Sequence, residues 1–555
     1  MFLPPFGTNE NNSLVTVRFA GLDLRDKPQP SSLSQSENLS ADAYPALSPR
    51  KPRQKVIRDT GILAAAAAAY TGGTLSAFTG VKEDGFYFEG TRIHHESLSP
   101  GEKSIVDFNG KLCIFPDKLY YNYLPDPETG AISTTLESME KTLALSGVTF
   151  YSSHDSITGA YVAYVSKSNG GFDRFLPGES ITISGATQTQ NNTHSIQGRT
   201  EFAATNAIVS AVVTASTSNR LDLLLYTKTG QKALFQNGTD NQSITIKVSI
   251  PDMNHVCVHN NRLWGTAANG EYLYASKLGD PTNFHSFQGL ADDSWYSMIG
   301  TPGTFTGIVS YRSAVVAFKQ DCIHHVYGDG PQNYSIPKQT FGGCIDGRSI
   351  AELGGVLYFL SHSGFCAYNG GEPECISPQL PIDYRFAASG CDGIRYYAAA
   401  IREDGTRDLL VYHPSYGVWH REDDTAFFQF LRFGNRLYGV THDGIWAFGK
   451  GEESVLWSLT TQPTSYDTLH YKGVRELRLL LDAEPDTAVT VSISHDGAPF
   501  RPCATLSKSS GRKSHRIPIR FQKCDSFRIR IEGQGRAVIH ALELSVYQGG
   551  KTYVI

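Results

Sequence analysis

Several things are scarce in this chain. It holds 4 methionines and nine cysteines in 555 residues, the cysteines scattered from Cys113 to Cys524 with no CxxC pair. That pattern excludes a disulfide-dense secreted scaffold and a zinc ribbon. It predicts reduced core thiols in a protein assembled in a cytosol. Long apolar runs are missing too. The longest bland stretch, Ile62 to Tyr70, is far too short to cross a bilayer, so no membrane insertion is expected. The opening MFLPPFGTNENN lacks a basic segment followed by an apolar one, so no secretory signal is expected. Neither charge dominates: 49 Lys+Arg against 54 Asp+Glu give a formal net charge of -5. Such a balance argues against a protein that coats nucleic acid non-specifically, but allows a channel through which a polyanion passes. There is no HExxH, GxSxG, P-loop or dinucleotide fingerprint. The expectation is therefore a non-enzyme, with no catalytic residue, metal or cofactor assigned.

What is abundant points to strands and turns. Glycine numbers 53, tyrosine 28, and aromatics make up 11%. The stretch NRLWGTAANGEYLYASK at Asn261 has a near copy, NRLYGVTHDGIWAFGKG, at Asn435. Related strand openings occur at Leu75, Leu112, Leu263, Val315, Leu357, Tyr396 and Leu437. Their spacing is about 40 residues, broken once by about 150 between Leu112 and Leu263, and a period of that size with strand-turn-strand content is the mark of propeller blades. Gly with Asn, Asp or Ser fills the intervening turns (AANGEY, SHSGFC, THDGIW), as tight hairpins require. The expected fold class is all-β: a β-propeller of about 6–8 blades with an inserted β-domain and a C-terminal β-sandwich. Unrelated hairpins in a β-sandwich are the alternative.

The expected organisation has five parts. Residues 1–57, rich in Pro and Ser, read as an extended N-terminal arm that is either disordered or laid on a neighbouring subunit. Residues 58–136 hold the first blades, and 137–250 an inserted β-barrel or sandwich introduced by STTLESMEKTL, a short helical or loop lead-in. Residues 251–455 carry the remaining blades. Residues 456–555 alternate strictly, with one apolar and one Arg-rich face, as a separate sandwich does.

Candidate chemistry is thin. The pairs His94–His95 and His324–His325 place adjacent side chains on opposite faces of a strand, which suits structural histidines better than chelation. Cys366 and Cys375 sit about one turn apart across a hairpin; a zinc site would need partners that the sequence does not identify, and core or surface thiols are the expected reading. SHDGAPF and THDGIWAF resemble a sialidase Asp-box only loosely and read as Asp-Gly hairpin turns. One basic run, Arg50, Lys51, Arg53 and Lys55 in SPRKPRQK, supplies the candidate phosphate or DNA contacts; the competing reading is the solvated flank of the arm. Arg528, Arg530 and Arg536 mark the wet face of a sheet.

The run NRLWGTAANGEYLYASKLGDPTNF, then AVVAFKQDCIHHVYGDGP and LSHSGFCAYNGGEPECIS, resembles the β-propeller tail nozzle proteins of tailed, especially short-tailed, bacteriophages and prophages, also called tail tubular or DNA-stabilisation proteins. The likeness is clearest from Pro251 to Ser377, and its motifs are architectural. It implies a virion protein, assembled in the host bacterial cytoplasm, that forms a homo-oligomeric and commonly hexameric ring. Such a ring continues the DNA channel below the portal-adaptor, helps retain and eject the double-stranded genome, and carries fibre or spike proteins. Two other functions compete with it: a tail-fibre-like protein that binds cell-surface glycan through its appended β-domains, and a polysaccharide-active propeller enzyme.

Overall fold

The computed structural model describes residues 11–548 apart from 59–64, 67–78, 83–84, 95–97, 187–192, 197–198, 203–207, 228–231, 288, 338–339, 453, 465–469 and 508–510. Among the described residues the chain is all-β, its only helices being single 3-10 turns. It divides into two compact units, Ile62–Thr340 and Met1–Gly61 with Phe341–Ile555.

Among the described residues eight sheets are four-stranded, and seven of them repeat one antiparallel design along the chain. Sheet I comprises Ala65–Ala66, Gly80–Lys82, Gly85–Phe88 and Thr91–Ile93, and sheet II Ser104–Phe108, Lys111–Phe115, Leu119–Asn122 and Glu137–Ser138. Sheet III is Met253–His259, Arg262–Ala267, Tyr272–Ala275 and Trp295–Met298, and sheet IV Phe305–Tyr311, Ala314–Lys319, Cys322–Tyr327 and Thr340–Phe341. Sheet V is Ala351–Leu353, Val356–Ser361, Gly364–Tyr368 and Glu374–Cys375, and sheet VI Tyr384–Cys391, Tyr396–Arg402, Arg407–His413 and Val418–Arg421. Sheet VII takes Gln429–Phe433, Arg436–Thr441 and Gly444–Phe448, and its fourth strand is Arg53–Arg58.

The repeat has a physical origin. Leu112, Leu263, Val315, Leu357, Tyr396 and Leu437 all lie on the second strand of their sheets, while the mark at Leu75 falls outside the described residues. A second strand covered on both faces is buried along its length and mostly apolar rather than alternating. All six residues of Arg262–Ala267 are accordingly buried. Within the first unit, Phe86 and Leu112 join sheets I and II, Phe115 and Leu263 join II and III, and Trp264 and Val315 join III and IV. In the second, Phe365 and Tyr396 join V and VI, and Tyr397 and Phe430 join VI and VII. Sheets VI and VII meet tightly at Gly390, where an added Cβ would lie 2.5 Å from Phe430 Cβ and 3.0 Å from Leu437 Cδ1. Because Phe430 Cβ is fixed to its backbone, Gly390→Ala is expected to destabilise by about 1–3 kcal/mol, read as a lowered thermal midpoint.

The gap in the repeat holds an eight-stranded sheet whose ends, Lys141–Leu145 and Ile244–Val248, pair with each other. Chain entry and exit therefore sit side by side. Glu140 ties them, accepting from Lys118 Nζ at 3.1 Å and from the Ile250 amide at 3.3 Å. STTLESMEKTL, expected as a helical or loop lead-in, contributes strands instead: Glu137–Ser138 closes sheet II and Lys141–Leu145 opens the insertion.

Residues 1–57, expected to be an extended arm either disordered or laid on a neighbouring subunit, pair with strands of their own chain where described. Asn11–Thr16 pairs with Ala537–Gln548, and Leu33–Glu37 with Leu456–Thr461. Each extends one sheet of the C-terminal sandwich, whose core includes Leu33, Leu479, Val491 and Ile529. Sparse apolar anchors suffice because the sandwich offers two open strand edges, and pairing satisfies the backbone that prolines interrupt. The strand Phe527–Gln534 alternates as expected, with Arg528 and Arg530 on its wetter face, Arg530 lying 4.0 Å from the Phe500 ring centroid.

Candidate functional site

The basic run lies where the N-terminal segment crosses sheets VI and VII, opposite the acidic end of VWHREDD. Arg53 is 5% exposed; its guanidinium reaches Glu422 at 3.3 Å and pairs with Asp423. Arg50 approaches the same two carboxylates at 3.7 Å each and donates to Asn38 Oδ1 at 2.6 Å. Lys55 pairs with Asp443 and sits 4.9 Å above the Trp446 ring. Lys51 is exposed. Three of the four candidate phosphate contacts are thus already matched by carboxylates. Arg50 and Lys51 also line an open groove of about 1080 Å³, where they face Glu452, Asp482, Glu484 and Asp486. A polyanion would meet more acid than base there.

Burial pushes the Glu422 carboxyl above its usual range, against the pull of Arg53 and Arg50. Asp423 is held below it: burial is outweighed by Arg53 and by hydrogen bonds from Thr425. Nearby, burial opposes ionisation of Asp42, but His413 and Arg395 outweigh it and hold its pKa at about 2. His420 is enclosed beside these groups, its Nδ1 3.4 Å from Ser36 Oγ. Burial, then the neighbouring His413, lowers its pKa to about 4 against an ordinary 6.5. The neutral ring therefore stabilises the fold fully above about pH 6.5, and that contribution is lost as pH falls towards 4. By pH 4 the loss reaches about 2–3 kcal/mol. The thermal midpoint should drop between pH 7 and pH 4.5, and His420→Gln should flatten the drop.

Of the two histidine pairs, His324–His325 is packed into sheet IV. His324 and His325 are both buried; His324 Nε2 meets Thr301 Oγ1 at 2.9 Å and His325 Nδ1 meets Tyr327 Oη at 3.1 Å. His94 is exposed, and His95 lies outside the described residues. No group of three or more His, Cys, Asp or Glu placed to hold a metal occurs among the described residues. The Asp-box-like strings are hairpin turns, one between Arg436–Thr441 and Gly444–Phe448, the other between Ala488–His495 and Arg501–Leu506.

Two charged residues inside the family-like motifs escaped sequence reasoning. Arg262 of NRLWG is 0% exposed, and its guanidinium donates to the carbonyls of Ser276 at 2.8 Å, Asp293 at 2.5 Å and Ala291 at 2.8 Å. Lys319 of FKQD is 1% exposed and donates to Gly270 O at 2.8 Å and Thr301 O at 2.6 Å. Both solvate a buried cation with loop carbonyls, so both hold loops in place. In LGDPTNF, Gly279 takes φ +77°, Asp280 Oδ1 accepts from the Thr282 amide at 2.9 Å, and Phe284 returns to the core between sheets II and III.

One surface feature also went unread. Tyr272, Tyr274 and Tyr296 cluster on the outer strands of sheet III with centroids 6.0 to 6.5 Å apart, and Phe287 lies edge-on to Tyr296 at 5.5 Å. Tyr296 is 55% and Phe287 46% exposed. Tyr272 and Tyr274 stand two apart on one strand, and Tyr274 faces Tyr296 across the ladder, so the pleat gathers all three on one face.

No known family description and no curated protein matches the sequence. Among solved structures, the exo-β-1,3-galactanase Pc1,3Gal43A of Phanerochaete chrysosporium with galactose aligns at 10% identity and a TM-score of 0.22, over 52% of this chain and 95% of that one. A chain of the mitotic checkpoint complex aligns at 8% and 0.25, over 62% and 84%. A glycoside hydrolase family 43 arabinoxylan arabinofuranohydrolase from Bacillus subtilis in complex with cellotetraose aligns at 10% and 0.16, over 80% and 95%. Likenesses this slight transfer neither fold nor activity to this chain. No helix long and apolar enough to cross a membrane occurs among the described residues.

Proposed function

We propose that sheets I to VII are blades of one β-propeller, and that the chain is a structural nozzle or tail-tube component of a bacteriophage tail. One observation carries the propeller reading. Sheet VII is completed by Arg53–Arg58, a strand that precedes sheet I in the chain. Sharing a sheet between the two ends of a repeat array is how a ring of blades is fastened without leaving open edges. The tail assignment rests on the motifs of sheets III to V, whose charged members Arg262 and Lys319 work as loop braces, as an architectural role requires. In this reading several copies, six by resemblance, form a ring that continues the DNA channel below the portal-adaptor and carries fibres or spikes. The test is mass spectrometry of purified virions together with sizing of the purified chain. Recovery in virions and assembly into rings are expected; a strictly monomeric chain absent from virions overturns the proposal.

A second reading, recognition of host surface glycan, draws on the Tyr272, Tyr274, Tyr296 and Phe287 platform, because exposed aromatic faces stack on sugar rings. Glycan-array binding lost on Tyr296→Ala would support it, and blank arrays with the folded full chain would remove it.

A further inference from the structure

Sheet V ends in a two-residue edge strand, Glu374–Cys375, paired with Gly364–Tyr368. In that register Cys366 stands directly opposite Cys375. The type of pair follows from the ladder. The Ile376 amide donates to Phe365 O at 2.9 Å, which makes the preceding couple, Phe365 with Ile376, the hydrogen-bonded one. Antiparallel pairs alternate, so Cys366 and Cys375 form a non-hydrogen-bonded pair, in which the Cα atoms approach to about 4.5 Å and the side chains lie closest. That separation falls inside the range a disulfide spans.

The two thiols differ in surroundings. Cys366 is 2% exposed and packs in the core, its Sγ 3.5 Å from Ser363 Oγ. Cys375 is half-buried, and its Sγ donates to Ser363 O at 3.1 Å. Both are reduced in this structure. We propose that Cys366 and Cys375 are a modification site: a thiol pair that an external disulfide oxidant, such as oxidised glutathione, converts to a cross-strand disulfide pinning the edge of sheet V. The inference is independent of the tail assignment.

The chemistry balances with one oxidant. The Cys375 thiolate attacks the oxidant's disulfide and expels one thiolate, forming a mixed disulfide. Cys366 then loses its proton to solvent and attacks Sγ of Cys375, expelling the second thiolate. Two electrons and two protons leave the pair, and two glutathione thiols are produced. The order of attack agrees with the electrostatics. A hydrogen bond from Cys366 lowers the Cys375 thiol to about 6, and the same contact, with burial, raises Cys366. The exposed sulfur is the ready nucleophile and the buried one resolves. A metal would need further ligands, and no metal-holding group occurs here among the described residues.

Tryptic cleavage after Arg348 and Arg385 releases one peptide, 349–385, containing these two cysteines and no other. The full chain is treated with oxidised glutathione, unfolded in iodoacetamide and digested. The peptide is expected to escape alkylation and to lose about 2 Da, the two hydrogens, with both changes reversed by reductant. In Cys366→Ser the same treatment should leave glutathione on Cys375. Full alkylation of both cysteines in the wild-type peptide, or a stable glutathione adduct on wild-type Cys375, overturns the proposal. So does an unmodified Cys375 in the variant. The wild-type result stands whether or not the variant folds.

Discussion

Arg262→Met should destabilise the Ile62–Thr340 unit by about 3–5 kcal/mol, since it strips the shared donor from several buried carbonyls at once. The methionine fills similar volume, so the loss is one of hydrogen bonding rather than of packing. The loop from Lys277 to Asp293 should open first, because Arg262 holds its two ends, through Ser276 O and Asp293 O. Limited proteolysis would show early cuts there, and the thermal midpoint of that unit would fall. Arg262→Lys should recover only part of the loss, because one ammonium cannot reproduce a planar fork directed at separate carbonyls. A variant with unchanged midpoint and an uncut loop would show that Arg262 is not the brace.

Arg53→Ala has a comparable expected effect by a different route. It leaves Glu422, 2% exposed, with only the more distant Arg50 at 3.7 Å, and breaking a buried ion pair in this way costs about 3 kcal/mol. It also removes the guanidinium packed 5.3 Å from the Phe448 ring. Strand Arg53–Arg58 should then separate from Gly444–Phe448, seen as faster amide exchange in that strand and tryptic cutting at Lys55 and Arg58. Combining Arg53→Ala with Glu422→Gln should restore much of the stability, because the partner charge goes too. Equal losses in the single and double variants would contradict the charge-burial account.

Periodicity revealed the sheets because it reports burial. Second strands enclosed on both faces, such as Arg262–Ala267, are buried along their length and mostly apolar, so six described repeat marks fall on one structural position. The N-terminal segment was harder. Its strands are short, and the partners of its longer ones lie more than 380 residues away, as with Arg53 and Phe448. Local pattern does not encode such a pairing. The charged residues show the same limit. NRLWG and NRLYG share their Asn-Arg-Leu, yet Arg262 is fully buried while Arg436 is exposed. The difference lies downstream: only the first is followed by the LGDPTNF loop, whose far end supplies carbonyls to the guanidinium. The acidic HREDD, read against SPRKPRQK, was the one available hint that the basic run had an internal partner. The aromatic platform needed the Tyr274–Tyr296 register, which sequence spacing across a long loop does not fix.

The most direct test is single-particle cryo-electron microscopy of the purified full-length chain. Seven blades closed into one ring within each chain, strand Arg53–Arg58 seated in the seventh, and several copies arranged around an axial channel are the expected result. Two separate stacks of sheets, or single chains with no symmetric assembly, would contradict it.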